Sequence, residues 1–292
     1  MKKVLRALLL LPLTVAAAYS RFLARIRPGL LLSWDDANYH RVQSKVSPVV
    51  HGGSGGSVEM TFYVPNAVCR YRAETFSVKE PETLEWIDQY GGSGVFFDIG
   101  ANVGLYSVYY AKVHSGQVYA FEPSVLNLAL LARNISVNEL STRVVIVPNP
   151  LTSDNQVAAF HLSSLEEGGA LSTFGAEFGH DGEPLSQLMS YETAGFSLDY
   201  LISAGVIADN PALIKIDVDG IEHFILRGAR ETLSRASLRS ILIEVNEDFR
   251  ELAIEVHDLL TSAGFQLSER RHAEMFESSA YSSTYNQIWV RP

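Results

Sequence analysis

The chain of 292 residues is 47% hydrophobic and 19% charged, a globular composition with room for one large α/β domain and an N-terminal extension. Its formal charge of −10 argues against an extended nucleic-acid surface, because phosphate binding requires an excess of Lys and Arg, and leaves room only for a local basic patch. A single cysteine, Cys69, excludes an internal disulfide and any cysteine-based zinc cluster, and it reads as a small, partly buried apolar side chain.

Lys2, Lys3 and Arg6 precede an apolar run from Ala7 to Tyr19, broken by Pro12, and Arg21, Arg25 and Arg27 follow it. The run is shorter than the roughly 20 residues of a membrane span. Ala16-Ala17-Ala18 would suit a signal peptidase, but positive charge on both flanks is unusual for an exported chain. The expectation is a basic amphipathic helix that makes peripheral contact with a membrane surface or packs on the domain, in a cytoplasmic protein. A cleaved signal and a plain structural helix are the alternatives. Residues 1–50 are expected to form an appendage, residues 51–57 (HGGSGGS) a flexible loop, and residues 58–292 the main domain.

Val58 to Val64 alternates as a strand. Glu80-Pro81 opens a helix with acids near its positive end. From Val95 the pattern is regular. Apolar strands are expected at Val95 to Ile99, Val118 to Phe121, Val144 to Val147, Leu213 to Val218 and Ile241 to Val245. Helices are expected at Val103 to Val113, Ser124 to Leu140, Ile221 to Ser234 and Phe249 to Ser262, with Ser124 as an N-cap. Val157 to Leu162 reads as a hairpin strand, and Phe265 to Ser268 with Gln287 to Val290 as a closing pair. Apolar strands alternating with helices specify a mostly parallel sheet covered on both faces, an α/β, Rossmann-like fold. Ser163 to Pro184 is rich in Gly, Ser and Glu and lacks periodicity, which marks a loop or lid.

Ligands of such sheets bind beyond the carboxyl ends of the strands, where strand order reverses. The run FFDIGANVGLYS places Asp98, Gly100, Asn102 and Gly104 at that end of the first core strand. Gly100 permits a tight turn and a close ligand, and Gly104 a close helix contact. Asn102 tolerates the left-handed region, yet it stands where a pyrophosphate cradle would want glycine. Glu122 ends the next strand 24 positions after Asp98, where a ribose-binding acid belongs. With Asp98 facing a cationic tail, the ligand that fits is S-adenosylmethionine. A nicotinamide-dependent dehydrogenase is the rival enzyme, disfavoured by Asn102, and a non-catalytic binding protein of the same fold is the third reading. Weaker cofactor contacts are Asn149 and Asp154 after the third strand, near the adenine, and Glu80 and Thr83 over the methionine tail.

These motifs carry a resemblance. KEPETLEW (Lys79 to Trp86), FFDIGANVGLYS, VYAFEP (Val118 to Pro123), LIKIDVDGIEHFILRGA (Leu213 to Ala229) and ILIEVNED (Ile241 to Asp248) resemble the FkbM-type methyltransferases over residues 60–290. Asp219 stands where that family usually carries Glu. The resemblance implies a seven-stranded class I methyltransferase fold, S-adenosylmethionine as methyl donor, and a small-molecule or carbohydrate acceptor such as a sugar hydroxyl in a glycan.

KIDVDGIEH and ILIEVNED bring further acids to adjacent strand ends. Methyl transfer is an in-line displacement that requires alignment and exclusion of water. If the acceptor is a hydroxyl its proton must leave, and His223 is the natural base by its ordinary pKa, with Asp217 or Glu222 as substitutes. Alternatively, Asp217, Asp219, Glu244 and Asn246 are candidate ligands for one Mg²⁺ that acidifies the hydroxyl.

Overall fold

The computed structural model describes residue 11, residues 14–22, residue 25, and residues 28–53, 56–279 and 281–292. Lys2, Lys3, Arg6 and Arg27 of the N-terminal stretch lie outside the described residues. The chain divides into two units, Met1–Lys45 and Val46–Pro292. In the first, residues 14–22 are helical and α1 (Pro28–Gln43) follows. No helix among the described residues is long and apolar enough to cross a membrane.

The second unit begins earlier than composition suggested. Strand β1 (Val46–Gly53) pairs antiparallel with β2 (Gly56–Tyr63), and His51 and Gly52 face Val58 and Ser57 in register. Residues 51–53 and 56–57 of the expected loop are therefore strand, because ladder hydrogen bonds form from backbone alone and do not need side chains; residues 54 and 55 lie outside the described residues. Helices α2 (Ala67–Glu74), α3 (Phe76–Lys79) and α4 (Pro81–Tyr90) follow. Asn66 caps α2 by accepting the Cys69 N–H, and Pro81 takes the first position of α4, where no N–H is needed.

The core strands are β3 (Val95–Ile99), β4 (Val118–Phe121), β5 (Val144–Val147), β9 (Pro211–Ile216), β10 (Ser240–Asn246), β11 (Gln266–Arg271) and β12 (Thr284–Val290). They form one seven-stranded sheet in the order β11-β12-β10-β9-β3-β4-β5. Pairs from β10 to β5 are parallel, and β12 runs antiparallel between β10 and β11. Successive side chains alternate between faces. Phe96, Ala120 and Leu213 fall in one buried layer, and Phe97, Phe121 and Ile214 in the other. Helices α5 (Leu105–Val113) and α6 (Val125–Val137) return the chain between β3, β4 and β5. Ser124 occupies the N-cap position of α6 without a side-chain cap bond.

Between β5 and β9 lies a second sheet, in which β6 (Gln156–Leu162) is flanked by β7 (Ser172–Phe174) and β8 (Met189–Gly195), followed by α7 (Leu198–Ser203). The expected helix over residues 221–234 is split into α8 (Glu222–Arg227) and α9 (Arg230–Ser234). The break falls at Gly228, where a Cβ would stand 2.2 Å from the Thr152 carbonyl oxygen. Helix α10 (Arg250–Ser262) packs behind β10. Strand order reverses between β3 and β9, which leaves a crevice at their carboxyl ends.

Candidate functional site

At the end of β3 the chain turns on Gly100, Asn102 and Gly104, with φ of +83°, +51° and +87°. Asn102 adopts the left-handed region that its side chain tolerates. The requirement at Gly100 is internal: a Cβ there would lie 1.8 Å from the Asp217 carbonyl oxygen. The glycine thus lets β3 and β9 close together, with Asp217 N–H donating to Ile99 O at 3.1 Å. At Gly104 a Cβ would meet Leu131 of α6 at 2.5 Å.

Glu122, one residue past β4, is 5% exposed. Its Oε2 accepts the Asn102 backbone N–H at 2.8 Å, and its Oε1 accepts the Ser124 N–H at 2.9 Å. Burial pushes this carboxyl up to about 7, against the opposing hydrogen bonds. Residues 163–172 form a strap across this corner. Asn102 and Asn127 donate side-chain amides to Gly169 O, and Arg72 Nε donates to Gly168 O at 2.8 Å. Asp219 Oδ2 accepts the Leu171 N–H at 2.7 Å. The expected loop is thus an ordered wall, pinned by side chains from four separate parts of the sequence.

A cavity of about 600 Å³ opens beneath the strap. Six carboxylates line it, Glu80, Glu82, Glu122, Asp217, Asp219 and Glu244, against two cations, Arg72 and Lys79. Asp217 and Asp219 do not converge by continuing the strand. Strand β9 ends at Ile216, and Asp219 reaches the cavity from a turn with φ of +63°. Burial, with Asp217 beside it, pushes Asp219 up to about 6. Burial and the charges of Asp217, Glu80 and Asp219 push Glu244 well above the usual carboxylate range.

Behind this wall lies a lysine that sequence reasoning missed. Lys215, 1% exposed, is the register partner of Asp98 across β9 and β3. Its Nζ donates to Asp217 Oδ2 at 2.7 Å and lies 5.2 Å from the Tyr106 ring centroid. Burial would lower its pKa, but Asp217, Asp98 and Glu80 raise it and keep the ammonium charged. Burial would likewise raise Glu80, yet the cations Lys79 and Lys215 hold it down to about 2. Glu80 also accepts hydrogen bonds from Lys79 and from Tyr106 OH. A charged residue inside the apolar strand LIKI was the available signal, since a buried lysine needs anions around it.

The structure brings Gly100, Asn102, Glu122, Asn149, Glu80, Asp217, Asp219 and Glu244 to the cavity wall. The other sequence candidates stand elsewhere. Asp98 is 1% exposed, accepts the Ser107 hydroxyl at 2.6 Å and faces Lys215 rather than the cavity, because the pleat turns it into the layer beneath the sheet. Its expected contact with a cationic ligand tail is therefore taken by a lysine of the chain. Glu222 spends its carboxylate on the N–H groups of Val218 and Gly220 at the start of α8, and lies outside the cavity lining. His223 is packed on Phe224, ring centroids 4.0 Å apart, and against Phe249; burial lowers its pKa, and it too lies off the lining. Asp154 is exposed beside Ser153, and Thr83 is fully buried outside the cavity. Asn246 gives its amide to His180 O at 3.1 Å and lies off the cavity lining.

Comparison with known proteins follows this geometry. A family model described as the methyltransferase FkbM domain matches residues 98–267, from the last turn of β3 into β11. The chain belongs to the FkbM methyltransferase family. The 31-O-demethyl-FK506 methyltransferase FkbM of Streptomyces tacrolimicus is 27% identical over 194 residues, 59% of this chain and 72% of that protein. Among solved structures, methyltransferase FkbM from Methylobacillus flagellatus aligns with a TM-score of 0.48 at 16% identity, over 77% of this chain and 52% of that one. This chain thus spans about half the length of that structure. Precorrin-6y C5,15-methyltransferase from Geobacter metallireducens aligns with a TM-score of 0.42 at 11% identity, over 72% of this chain and 85% of that one. The seven-stranded sheet, with β12 antiparallel between β10 and β11, is the class I methyltransferase architecture. Membership of the FkbM methyltransferase family replaces the dehydrogenase reading.

Proposed function

We propose that this FkbM-family protein transfers a methyl group from S-adenosylmethionine to a hydroxyl of an uncharged, polar acceptor such as a sugar or glycan. The carrying observation is the cavity at the carboxyl ends of β3, β4 and β9, with Glu122 at one wall and Asp217, Asp219 and Glu244 at another. Its volume of about 600 Å³ lies within the roughly 300–1,000 Å³ of small-molecule sites. Glu122 keeps acceptor lone pairs for ribose hydroxyls while bracing the turn at Asn102. The turn offers no run of glycines to a diphosphate.

When bound, the cofactor supplies an electrophilic methyl carbon on a sulfonium. The chain's task is to hold the acceptor oxygen in line, shield it from water and take its proton. Glu244 is the group suited to the last task, because it lines the cavity and burial, together with its anionic neighbours, raises its basicity. The excess of carboxylates disfavours phosphorylated or otherwise anionic acceptors. It also favours a second reading, an amine acceptor, for which the same acids would attract the cation.

Two of the acids named as metal candidates already have partners in the chain. Asp217, Asp219 and Glu244 bring one oxygen each to within 4.8 Å of one another, a grouping that could hold a cation. Asp217 is already paired with Lys215, and Asp219 holds the strap. No step is therefore assigned to a metal.

Calorimetric titration with S-adenosylhomocysteine and with NAD tests the cofactor reading, and binding of NAD alone would overturn it. Labelled methyl transfer to a panel of sugars, glycolipids and amines, with and without chelator, tests the acceptor. Label on amines alone would move the assignment from oxygen to nitrogen.

A further inference from the structure

Charge is unevenly divided along this chain. Residues 1–45 carry eight Lys and Arg and only two acids, Asp35 and Asp36, a formal +6. With −10 overall, residues 46–292 carry −16. The basic part also holds an apolar stripe. Residues 14–22 are helical, and Val15, Tyr19 and Phe22 are 60%, 61% and 57% exposed, with Leu11 at 55%. At about 100° per residue, Val15, Tyr19 and Phe22 fall within an arc of about 60°. Arg21 and Arg25, both exposed, fall together on one flank of that arc, and the rest of the turn carries Thr14, Ser20 and three alanines. A soluble helix buries its apolar stripe against a core, whereas Val15, Tyr19 and Phe22 are more than half exposed.

We propose that this helix is a lipid-contact element that docks on an anionic bilayer surface, with Val15, Tyr19 and Phe22 entering the headgroup boundary and Arg21 and Arg25 reaching the phosphates. The occupant follows from the pattern. Apolar side chains with an aromatic phenol suit the interface, and arginine flanks suit anionic headgroups. A local excess of positive charge is attracted by an anionic leaflet, and the strongly acidic remainder is repelled by it. The surface would then engage this end of the chain alone. The length of the stripe suits lying on a bilayer and falls short of a span.

Vesicle flotation of the full chain tests this. The expected result is co-flotation with phosphatidylcholine vesicles containing phosphatidylglycerol, at least tenfold stronger than with phosphatidylcholine alone and weakened by raised salt. Val15→Glu/Tyr19→Glu/Phe22→Glu and, separately, Arg21→Glu/Arg25→Glu are each expected to lower it at least tenfold, with unchanged S-adenosylhomocysteine binding as the control for folding. Equal flotation of the parent and both variants would overturn the proposal, as would a parent chain that stays in the buffer with both vesicle types. A sedimenting dimer that the triple variant converts to monomer, without flotation of the parent, would assign the stripe to a second copy and overturn it as well.

Discussion

Glu122 Oε2 accepts the Asn102 backbone N–H at 2.8 Å, so the acid at the end of β4 holds the turn that ends β3. The side chain proposed to grip a ribose is also a brace for the loop beside it. Glu122→Ala is expected to weaken S-adenosylhomocysteine binding at least tenfold, about 1.4 kcal/mol. Isothermal titration of the folded variant measures this, and unchanged affinity would refute the ribose role.

The same corner depends on the absence of a side chain at Gly100. Gly100→Ala would put a methyl group 1.8 Å from the Asp217 carbonyl oxygen at a φ of +83°. Left-handed strain and overpacking together are expected to cost at least about 2 kcal/mol. Urea denaturation reads the loss, and a variant as stable as the parent would mean that β3 and β9 can part freely.

Lys215 is the counter-ion of a buried cluster that includes Asp98, Asp217 and Glu80. Lys215→Met leaves these carboxylates facing one another. The expected destabilisation is about 3–5 kcal/mol, the range for breaking a buried ion pair from one side. A loss below about 1 kcal/mol in denaturant titration would show that the acids are neutral without it.

Stability should depend on pH with a definite sign. Burial raises Glu122 and Glu222 from 4.5 to about 7, and Asp219 from 3.8 to about 6. Each carboxyl binds its proton more tightly when folded, so folding stability falls as pH rises through the interval between the two values and levels off above it. The melting temperature is therefore expected to decline from about pH 4.5 to about pH 7. Glu222→Gln keeps an acceptor for the Val218 and Gly220 amides and removes one such term, flattening the decline by up to about 3 kcal/mol. A melting temperature that climbs across this interval would contradict the assignment.

Glu244 and His223 separate by activity. With an acceptor from the panel, Glu244→Gln is expected to lower kcat at least 100-fold, the lower end of general-base effects. His223→Ala, altering a ring packed on Phe224 outside the cavity, is expected to leave kcat within about threefold. The reverse pattern would restore the histidine as the base.

The five parallel strands, α4 at Pro81 and the loop geometry at Asn102 were legible because they rest on local signals: apolar runs, a proline at a helix start, a residue tolerant of positive φ. The pairing of residues 51–53 with 56–58 was not, because backbone pairing leaves little trace in a Gly/Ser sequence. Nor was the split at Gly228, where the Thr152 carbonyl, remote in sequence, leaves no room for a side chain.

The sequence by itself determined that Asp98, Glu122, Asp217 and Glu244 come to strand ends on one side of a parallel sheet, since strand length and alternation fix that. Only the tertiary structure decided which of them meet the cavity. Asp98 and Lys215 face each other because β3 and β9 are neighbours in register, and that adjacency comes from strand order, which no local pattern encodes. Glu222 and His223 sit in an acidic motif, but the turn at Asp219 and Gly220 and the packing of Phe224 and Phe249 aim them away. A side chain's chemistry is written locally; its partner depends on which segments the closed sheet brings within hydrogen-bond reach.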